Sequence, residues 1–429
     1  MDAMHPDYLA RFIRNRPQKR ARHAAQFVGS FFSMALPPEI SFRQQRATAL
    51  IHAGFILTGV FTVILGPILP FLELQWSLND SQAAYFFVAQ FAGLLAGVLF
   101  SSFLIPRRGF GSSFIFGFLL MGAGAVTIGR GSWMAALAAA FVLGVGIGFL
   151  VAATNLWIAE VNPGEEAGSL SLVNFSWTTG AVACPFLVDL FHAPQALLNF
   201  LLGLGLISGL VGMAFAGIRV DDLHPSHGAG SRPSLGKTIP VDRIALILGA
   251  AFFLYVGTET CFSGWIATYS RRLINAADPA WIIAPSFFWA GMMTGRASAP
   301  FVLRRFAERR VMQCGAALGI AAVVFLLRAT TLHSAFAGAF LAGLGCAAIF
   351  PILVAWMVTH YGVEARRVTG VMLAIAEFGA ATLPWIVGYV SARFGGLHHA
   401  LSILIGTLGA VFLLATIYPK RDLRQVISP

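Results

Sequence analysis

Residues 143–187 read LGVGIGFLVAATNLWIAEVNPGEEAGSLSLVNFSWTTGAVACPFL, and residues 342–386 read AGLGCAAIFPILVAWMVTHYGVEARRVTGVMLAIAEFGAATLPWI. At a constant offset of 199 residues, glycines, a glutamate and a Gly-Ala-x-x-x-Pro ending fall into register without a gap. The matched pairs are Gly144 and Gly343, Gly146 and Gly345, Glu165 and Glu364, Gly180 and Gly379, Ala181 and Ala380, and Pro185 and Pro384. This internal repeat predicts a protein of two similar halves.

The composition predicts that both halves lie in a membrane. Of 429 residues, 57% are hydrophobic and only 11% are charged, which is too apolar for a soluble protein of this length. Apolar runs recur along the chain, and each is long enough to cross about 30 Å of hydrocarbon as a helix. We predict an all-α membrane protein with twelve transmembrane helices, at about 48–73, 81–105, 110–129, 133–160, 167–191, 195–217, 244–270, 280–304, 311–328, 333–360, 367–391 and 396–418.

The net charge of +11 reports topology rather than a nucleic-acid partner, because the basic residues gather in alternate loops. Eight precede the first span, and further clusters follow the second, sixth, eighth, tenth and twelfth spans. Basic loops stay in the cytoplasm, so both termini are predicted to be cytoplasmic. The chain is therefore expected in the cell inner membrane, with the lipid bilayer as its partner.

The positions of the spans divide the chain into five predicted segments. These are a basic cytoplasmic extension (1–47), an N-terminal six-helix bundle (48–218), a polar cytoplasmic linker (219–243), a C-terminal six-helix bundle (244–418) and a cytoplasmic tail (419–429). A cleaved signal peptide in the first segment is disfavoured, because cleavage would reverse the charge asymmetry. Two similar six-helix bundles are typical of secondary transporters, which hold a small solute between the bundles and rock one against the other.

Glu259 is exceptional, because it lies inside the seventh span in the stretch YVGTETCFSGW (residues 255–265). A carboxylate at the bilayer centre costs about 2.5–3.5 kcal/mol on insertion scales, so it usually faces a wet cavity and serves function. The other interpretation is a protonated glutamate that clamps two helices by a hydrogen bond. Glu377, in the eleventh span, is the second acid of this kind, and the same two interpretations apply to it.

Other polar and aromatic residues are predicted to line the same cavity. Tyr255, Thr258, Trp265 and Tyr269 recur near Glu259 at helical steps, so we expect them on its broad face. Aromatic faces cover the apolar patches of a sugar ring while polar groups take its hydroxyls. The remaining candidates lie in the first half: Gln90, Asn155, Asn174, Trp177 and Thr178.

Two absences narrow the chemistry. No lysine or arginine is predicted at mid-membrane, since Arg296 is expected near the inner end of the eighth span. A carrier of phosphate esters or dicarboxylates would need such a cation, so neutral sugars or polyols fit better, or else cations. No nucleotide-binding motif of the form GxxxxGK[ST] occurs, so we expect no enzyme, no metal and no cofactor beyond a coupling proton.

The loops GVLFSSFLIPRRGFGS (residues 97–112) and GRASAPFVLRRFAERR (residues 295–310) resemble the signature of the major facilitator superfamily. That resemblance implies a twelve-helix fold, alternating access, a monomer, and inner-gate loops that contain Arg107, Arg108, Arg304 and Arg305. The first copy departs from the signature, because the usual acid is absent near Pro106. Within the superfamily, FFLYVGTETCFSGWIATY (residues 252–269) is similar to the seventh helix of the fucose permease-like sugar transporters.

That branch carries proton-coupling acids in its first and fourth helices, and the matching positions here are Gly66 and Val151. The sequence therefore leaves two mechanisms open for a sugar transporter: proton coupling through Glu259, or facilitated transport. It also leaves open a proton-driven exporter of amphipathic or cationic compounds, and a receptor with a transporter fold that moves nothing.

Overall fold

The computed structural model describes residues 42–162, 165–218, 220, 242–273 and 279–419. Within these residues every regular element is a helix, and ten helices are long and apolar enough to cross a membrane. The predicted all-α membrane architecture is therefore confirmed at this level. The predicted N-terminal extension, linker and C-terminal tail lie almost entirely outside the described residues.

The helices fall into a first set before the linker and a second set after it. The first set is α1 (Phe42–Val63), α2 (Leu65–Trp76), α3 (Asp80–Thr127), α4 (Trp133–Val161), α5 (Glu166–Leu190) and α6 (Pro194–Gly217). The second set is α7 (Arg243–Leu273), α8 (Ala284–Leu303), α9 (Glu308–Leu327), α10 (Leu332–Cys346), α11 (Ile349–Tyr361), α12 (Ala365–Arg393), α13 (Leu397–Ala400) and α14 (Ile403–Ile417). The chain divides into two compact units, Met1–Ala49 and Leu50–Pro429, and every contact below lies within the second.

Proline and glycine explain where these helices break. Pro67 and Pro351 lack an N–H and crowd the carbonyl four residues earlier, which interrupts the first predicted span near Ile64 and the tenth near Ala347. α3 runs for 48 residues and covers the second and third predicted spans. Its interior contains Gly109 with φ 78°, a conformation that a residue without a Cβ adopts at little cost. α3 is thus two helical segments that meet at a sharp bend.

The sequence repeat is also present in the packing. A Cβ added to Gly144 would lie 1.9 Å from the carbonyl oxygen of Gln90, and one added to Gly343 would lie 1.9 Å from that of Phe288. Gly180 and Gly379 likewise face a neighbouring backbone oxygen at 1.9 and 2.1 Å. Small residues allow membrane helices to approach this closely. The same backbone-to-backbone contacts therefore hold α3 to α4 and α8 to α10, and α1 to α5 and α7 to α12.

The bundle has two ends, because consecutive helices joined by short turns run in opposite directions. We call one the Asp80 end, which contains the turn between α2 and α3 and the last residues of α7. The Arg107 end contains the bend at Gly109 and the turn after α8. Among the described residues, the hydrogen bonds and ring contacts between the two sets lie at the Asp80 end or around a central cavity. One of them joins the Tyr85 and Trp385 rings, whose centroids are 6.5 Å apart.

Asp242 fixes the start of α7 at the Arg107 end. Its Oδ1 accepts hydrogen bonds from the Ala245 N–H at 2.6 Å and from the Tyr361 hydroxyl at 2.9 Å, and its Oδ2 lies 3.0 Å from His360 Nε2. Partial burial alone would raise the pKa of Asp242, but these hydrogen bonds hold it below its usual value. The side chain therefore caps α7 and ties it to the end of α11.

We predict that Gly343→Ala destabilises the protein while Gly409→Ala does not. The new methyl at 343 would overlap the Phe288 carbonyl, whereas nothing lies within 4 Å of the matching position at 409. Overpacking against backbone should lower the free energy of unfolding by about 1–3 kcal/mol. Thermal melting of both purified variants in detergent measures the difference, and equal melting temperatures would contradict the close packing.

Candidate functional site

A cavity of about 230 Å³ lies between the two sets of helices. The first set contributes residues from α1 to α5, and the second from α7, α8, α11 and α12. Its polar lining residues are Thr62, Gln90, Asn155, Asn174, Glu259, Thr260, Ser263, Arg296 and Glu377. Its aromatic lining residues are Phe55, Phe87, Phe91, Trp177, Trp289 and Phe350. No group of His, Cys, Asp and Glu within the described ranges is placed to hold a metal ion.

Six predicted site residues line this cavity: Gln90, Asn155, Asn174, Trp177, Glu259 and Glu377. Hydrogen bonds to backbone carbonyls hold the three amides. The Asn155 and Asn174 amide nitrogens each donate to the carbonyl four residues earlier, and Gln90 Nε2 donates to the Thr62 carbonyl at 2.9 Å. Each amide oxygen is thus available to accept a hydrogen bond from a bound solute.

Glu259 and Glu377 are brought together at the cavity wall although they lie on different helices. Both side chains are only partly buried, and they lie within electrostatic reach of each other. The Tyr255 hydroxyl lies near the Glu259 carboxyl but outside hydrogen-bond geometry, and it has no other partner among the described residues. Tyr255 lies on the same helix as Glu259, so this neighbour does not decide between the cavity and clamp interpretations.

Arg296 lines the cavity, although the sequence predicted no basic residue at mid-membrane and placed Arg296 near the inner end of the eighth span. It lines the same cavity as Glu259 and Glu377 and acts electrostatically on Glu259. Its Nη1 also donates to Thr178 Oγ1 across the two sets, at 3.4 Å. The expected position of Arg296 did not reveal this, because an arginine near a helix end can direct its long side chain toward a polar cavity. The argument against anionic substrates, which rested on a missing cation, therefore no longer holds.

Four predicted residues of α7 do not line the cavity, and three of them form hydrogen bonds to other helices. Thr258 Oγ1 pairs with Thr407 Oγ1 of α14 at 2.7 Å, and Trp265 Nε1 donates to the Pro384 carbonyl of α12 at 3.1 Å. The Tyr269 hydroxyl donates to a carbonyl at the end of α9. Tyr255, the fourth, is fully buried beside Glu259. Thr178 does not line the cavity, although Arg296 reaches it.

The difference follows from where Glu259 sits on the helix. The cavity-lining residues of α7 are Val256, Glu259, Thr260, Ser263 and Gly264. Successive residues turn by about 100° around an α-helix, so Glu259 lies at one edge of this face rather than at its centre. A stripe centred on the glutamate therefore takes in residues on the packed side. The helical spacing was right, but it does not say toward which side the cavity extends.

Two tryptophans, one from each set, meet at the cavity. The rings of Trp177 in α5 and Trp289 in α8 pack edge to face with centroids 5.1 Å apart. Trp289 Nε1 donates to Ser263 Oγ at 3.1 Å, and Trp177 Nε1 donates to Thr62 Oγ1 at 3.4 Å. Trp289 is not among the residues that the sequence predicted for the site. Its seven-residue distance from Arg296 was the available signal, because residues seven apart share a helix face.

The two positions where the fucose permease-like branch carries acids also line the cavity. Gly66 and Val151 are both on its wall. A Cβ added to Gly66 would lie only 2.2 Å from the Ser263 carbonyl oxygen, so in this conformation a longer side chain at 66 has no room. The carboxyls of this cavity therefore come from the second set of helices, through Glu259 and Glu377.

Residues 51–332 match the profile of the Major Facilitator Superfamily, which is most of the chain. The chain belongs to the major facilitator superfamily. Within this superfamily, the glucose/mannose transporter GlcP of Bacillus subtilis (strain 168) is 24% identical over 351 residues, covering 79% of this chain and 86% of GlcP. A protein TsgA homolog of Serratia proteamaculans (strain 568) is 23% identical over 380 residues, covering 86% of this chain and 94% of its own.

Solved structures of superfamily members share the fold. An inward-facing bacterial homolog of the human lysosomal transporter Spinster has a TM-score of 0.71 at 14% identity, over 88% of this chain and 98% of that one. The E. coli fucose:proton symporter FucP has a TM-score of 0.59 at 17% identity, over 87% and 99%. At these identities the likeness shows the fold alone. The superfamily resemblance drawn from the sequence is therefore confirmed.

We predict that a cysteine at Thr260 reacts with a small polar thiol reagent and that one at Thr258 does not. Thr260 lines the cavity, whereas Thr258 packs against Thr407 with 0% exposure. Thiol reactivity follows exposure, so the rates should differ by about tenfold or more. Both variants need the exposed Cys314 replaced by serine. Equal rates would show that the cavity face of α7 is wrongly assigned.

Proposed function

We propose that this protein is a twelve-helix transporter of two six-helix bundles, residues 48–218 and 244–418, with both termini and the linker in the cytoplasm. The ten candidate spans support this count, because α3 bends at Gly109 into two segments and α8 is a further helix of 20 residues. The repeated glycine contacts support the two bundles. Arg107, Arg108, Arg304 and Arg305 are exposed at the Arg107 end, which we therefore assign to the cytoplasmic side.

We further propose that the cavity carries a neutral hexose, or a related small polar solute, by alternating access. The observation that carries this proposal is the lining, in which amides, hydroxyls, carboxyls and two tryptophans from both bundles surround one space. Such a lining suits a ring with hydroxyl edges and apolar faces. The relative described as a glucose/mannose transporter supports the same substrate class.

The size of the cavity favours a small solute over the alternative, an exporter of amphipathic compounds. Sites for drug-sized ligands usually enclose about 300–1,000 Å³. The cavity described here is about 230 Å³. The surplus of carboxyl groups would suit a cationic cargo, so export of amphipathic cations remains the outcome that a failed sugar test would favour.

Charge balance assigns different roles to the two glutamates. The positive charge of Arg296 interacts with the Glu259 carboxylate. Among the described residues, the charged group that interacts with Glu377 is Glu259 itself. One guanidinium can neutralise one carboxylate, and a second unpaired carboxylate in an apolar bundle is costly. We therefore propose that Glu259, balanced by Arg296, binds the solute and that Glu377 carries the coupling proton.

Counterflow in proteoliposomes tests recognition, because exchange of labelled for unlabelled sugar needs no driving force. We expect counterflow of glucose or mannose by the native protein. If no hexose exchanges in monodisperse, folded protein, the sugar assignment is contradicted. A resistance phenotype toward amphipathic cations on expression would then favour the exporter.

Two isosteric variants separate the roles of the glutamates. Glu377→Gln should retain counterflow but accumulate sugar under an imposed pH gradient only to about the level reached without one, because the proton site is lost. Glu259→Gln should weaken counterflow itself. Asp189→Asn, a carboxyl at the end of α5 outside the cavity lining, is the matched control and should change neither. Normal pH-driven accumulation by Glu377→Gln would contradict the assignment.

A further inference from the structure

An ion cluster joins the two sets of helices at the Asp80 end. Arg272, near the end of α7, donates from Nη1 to Asp80 Oδ2 at 2.8 Å and from Nη2 to Asp80 Oδ1 at 2.5 Å. Ser391 of α12 donates to the same Oδ2. Asp80 is 8% exposed. A two-pronged charged contact of this kind is among the stronger polar contacts in proteins, and here it links α3 to α7 and α12.

A second acid, Glu73, contacts the same arginine at a longer distance. Glu73 Oε2 in α2 lies 3.5 Å from Arg272 Nη2, a longer contact than either bond to Asp80. Glu73 is 7% exposed, and its Oε1 is buried without a hydrogen-bond partner in the described part of the chain. Two buried carboxyl groups therefore share one guanidinium, whose own side chain is partly exposed to solvent.

The charged groups that act on Glu73 are Arg272, Asp80 and Arg271. Arg271 is directed elsewhere: its Nη1 reaches the Pro70 carbonyl at 3.5 Å, and its guanidinium lies over the Trp281 ring at 5.8 Å. Phe71, beside that ring, is neutral, as is Ser391. Among the described residues, Arg272 is therefore the one cation in direct contact with Glu73.

We propose that Asp80, Arg272 and Glu73 form a proton-sensitive latch at the Asp80 end, in which the Asp80–Arg272 pair holds the two sets together and Glu73 takes up a proton when the latch closes. Closing removes Glu73 from water without giving it a full counter-ion, and burying an unpaired carboxylate is costly. A proton removes that cost. Opening returns the carboxyl to water, where it ionises.

The sign of the pH effect follows from this proton count. The closed latch binds one more proton than the open latch, so a fall in pH favours closure. The ratio of closed to open molecules should change by up to about tenfold per pH unit in the range where only the closed form is protonated. Under the proposed topology the Asp80 end faces outward, so the latch would respond to external pH; this part rests on the proposed function.

The test measures how fast a cysteine in place of Thr268 reacts with a membrane-impermeant thiol reagent. Thr268 lies one helical turn before Arg272 on α7 and is 1% exposed, so it becomes reachable when this end opens. The background is the Cys314→Ser protein, because Cys314 is the exposed native cysteine. Rates between about pH 5.5 and 8.5 are divided by those of the unfolded protein, which removes the intrinsic pH dependence of the thiol.

Three variants decide the outcome. Glu73→Gln is neutral at every pH, so its corrected rate should stay low and flat, whereas the protein with Glu73 should open as pH rises. Asp80→Asn should react quickly throughout, because the holding pair is lost. Asp189→Asn, at the end of α5 and outside the cluster, should retain the native profile.

If the corrected reaction rate of Glu73→Gln depends on pH in the same way as that of the protein with Glu73, the proposed proton uptake by Glu73 is overturned. An unchanged rate in Asp80→Asn would overturn the latch. Both readouts are taken without sugar, so a failure of hexose counterflow would contradict the proposed function and leave this result intact. Monodisperse elution of each variant excludes misfolding as the cause.

Discussion

The constraint on which this structure depends is that a charge inside an apolar helix must be matched within the protein or reach water. Two groups of charges satisfy it in the described residues. Glu259, Glu377 and Arg296 face the central cavity, and Asp80, Glu73 and Arg272 meet at the Asp80 end. Each group has two acids and one arginine. Such a balance leaves one carboxyl whose charge depends on its surroundings, which is what a protein that moves between two conformations can exploit.

Close helix packing determines where the cavity lies. Glycines bring α3 against α4, and α8 against α10, to backbone contact, and the same register recurs in both halves. Within each half there is little free space between these helices. Between the halves, α2 and α7 also approach closely at Gly66, and the Trp177 and Trp289 rings lie beside a polar space. The repeat therefore produces the same close helix contacts in both halves, with the polar cavity lying between the halves.

The sequence predicted the membrane class, the repeat and six cavity residues, because an acid or amide in an apolar run has few stable places to lie. Five predicted residues do not line the cavity: Thr178 of α5, and Tyr255, Thr258, Trp265 and Tyr269 of α7. Helical spacing gives residues a common face, but it does not give the direction in which that face meets its neighbours. The sequence could not predict ion pairs between distant residues, such as the one between Asp80 and Arg272.

Residues at the ends of the predicted spans were also missed by the sequence analysis. Glu73 and Asp80 lie where hydropathy ends one span and begins the next, and there the sequence suggests an exposed turn. The structure instead buries both against α7. Arg296 was discounted for the same reason, since a position near a helix end says little about where a long side chain reaches. Tertiary packing, rather than local pattern, decides such cases.

The central claim is that the two sets of helices open alternately at opposite ends around a bound solute. Electron-spin distance measurements in nanodiscs test it directly, with one label pair at Ser77 and Arg393 near the Asp80 end and another at Ser102 and Ser298 near the Arg107 end. All four positions are exposed. Saturating glucose, or the hexose that shows counterflow, should shift the two distance distributions in opposite directions. Distances that stay fixed, or that lengthen together at both ends, would contradict alternating access.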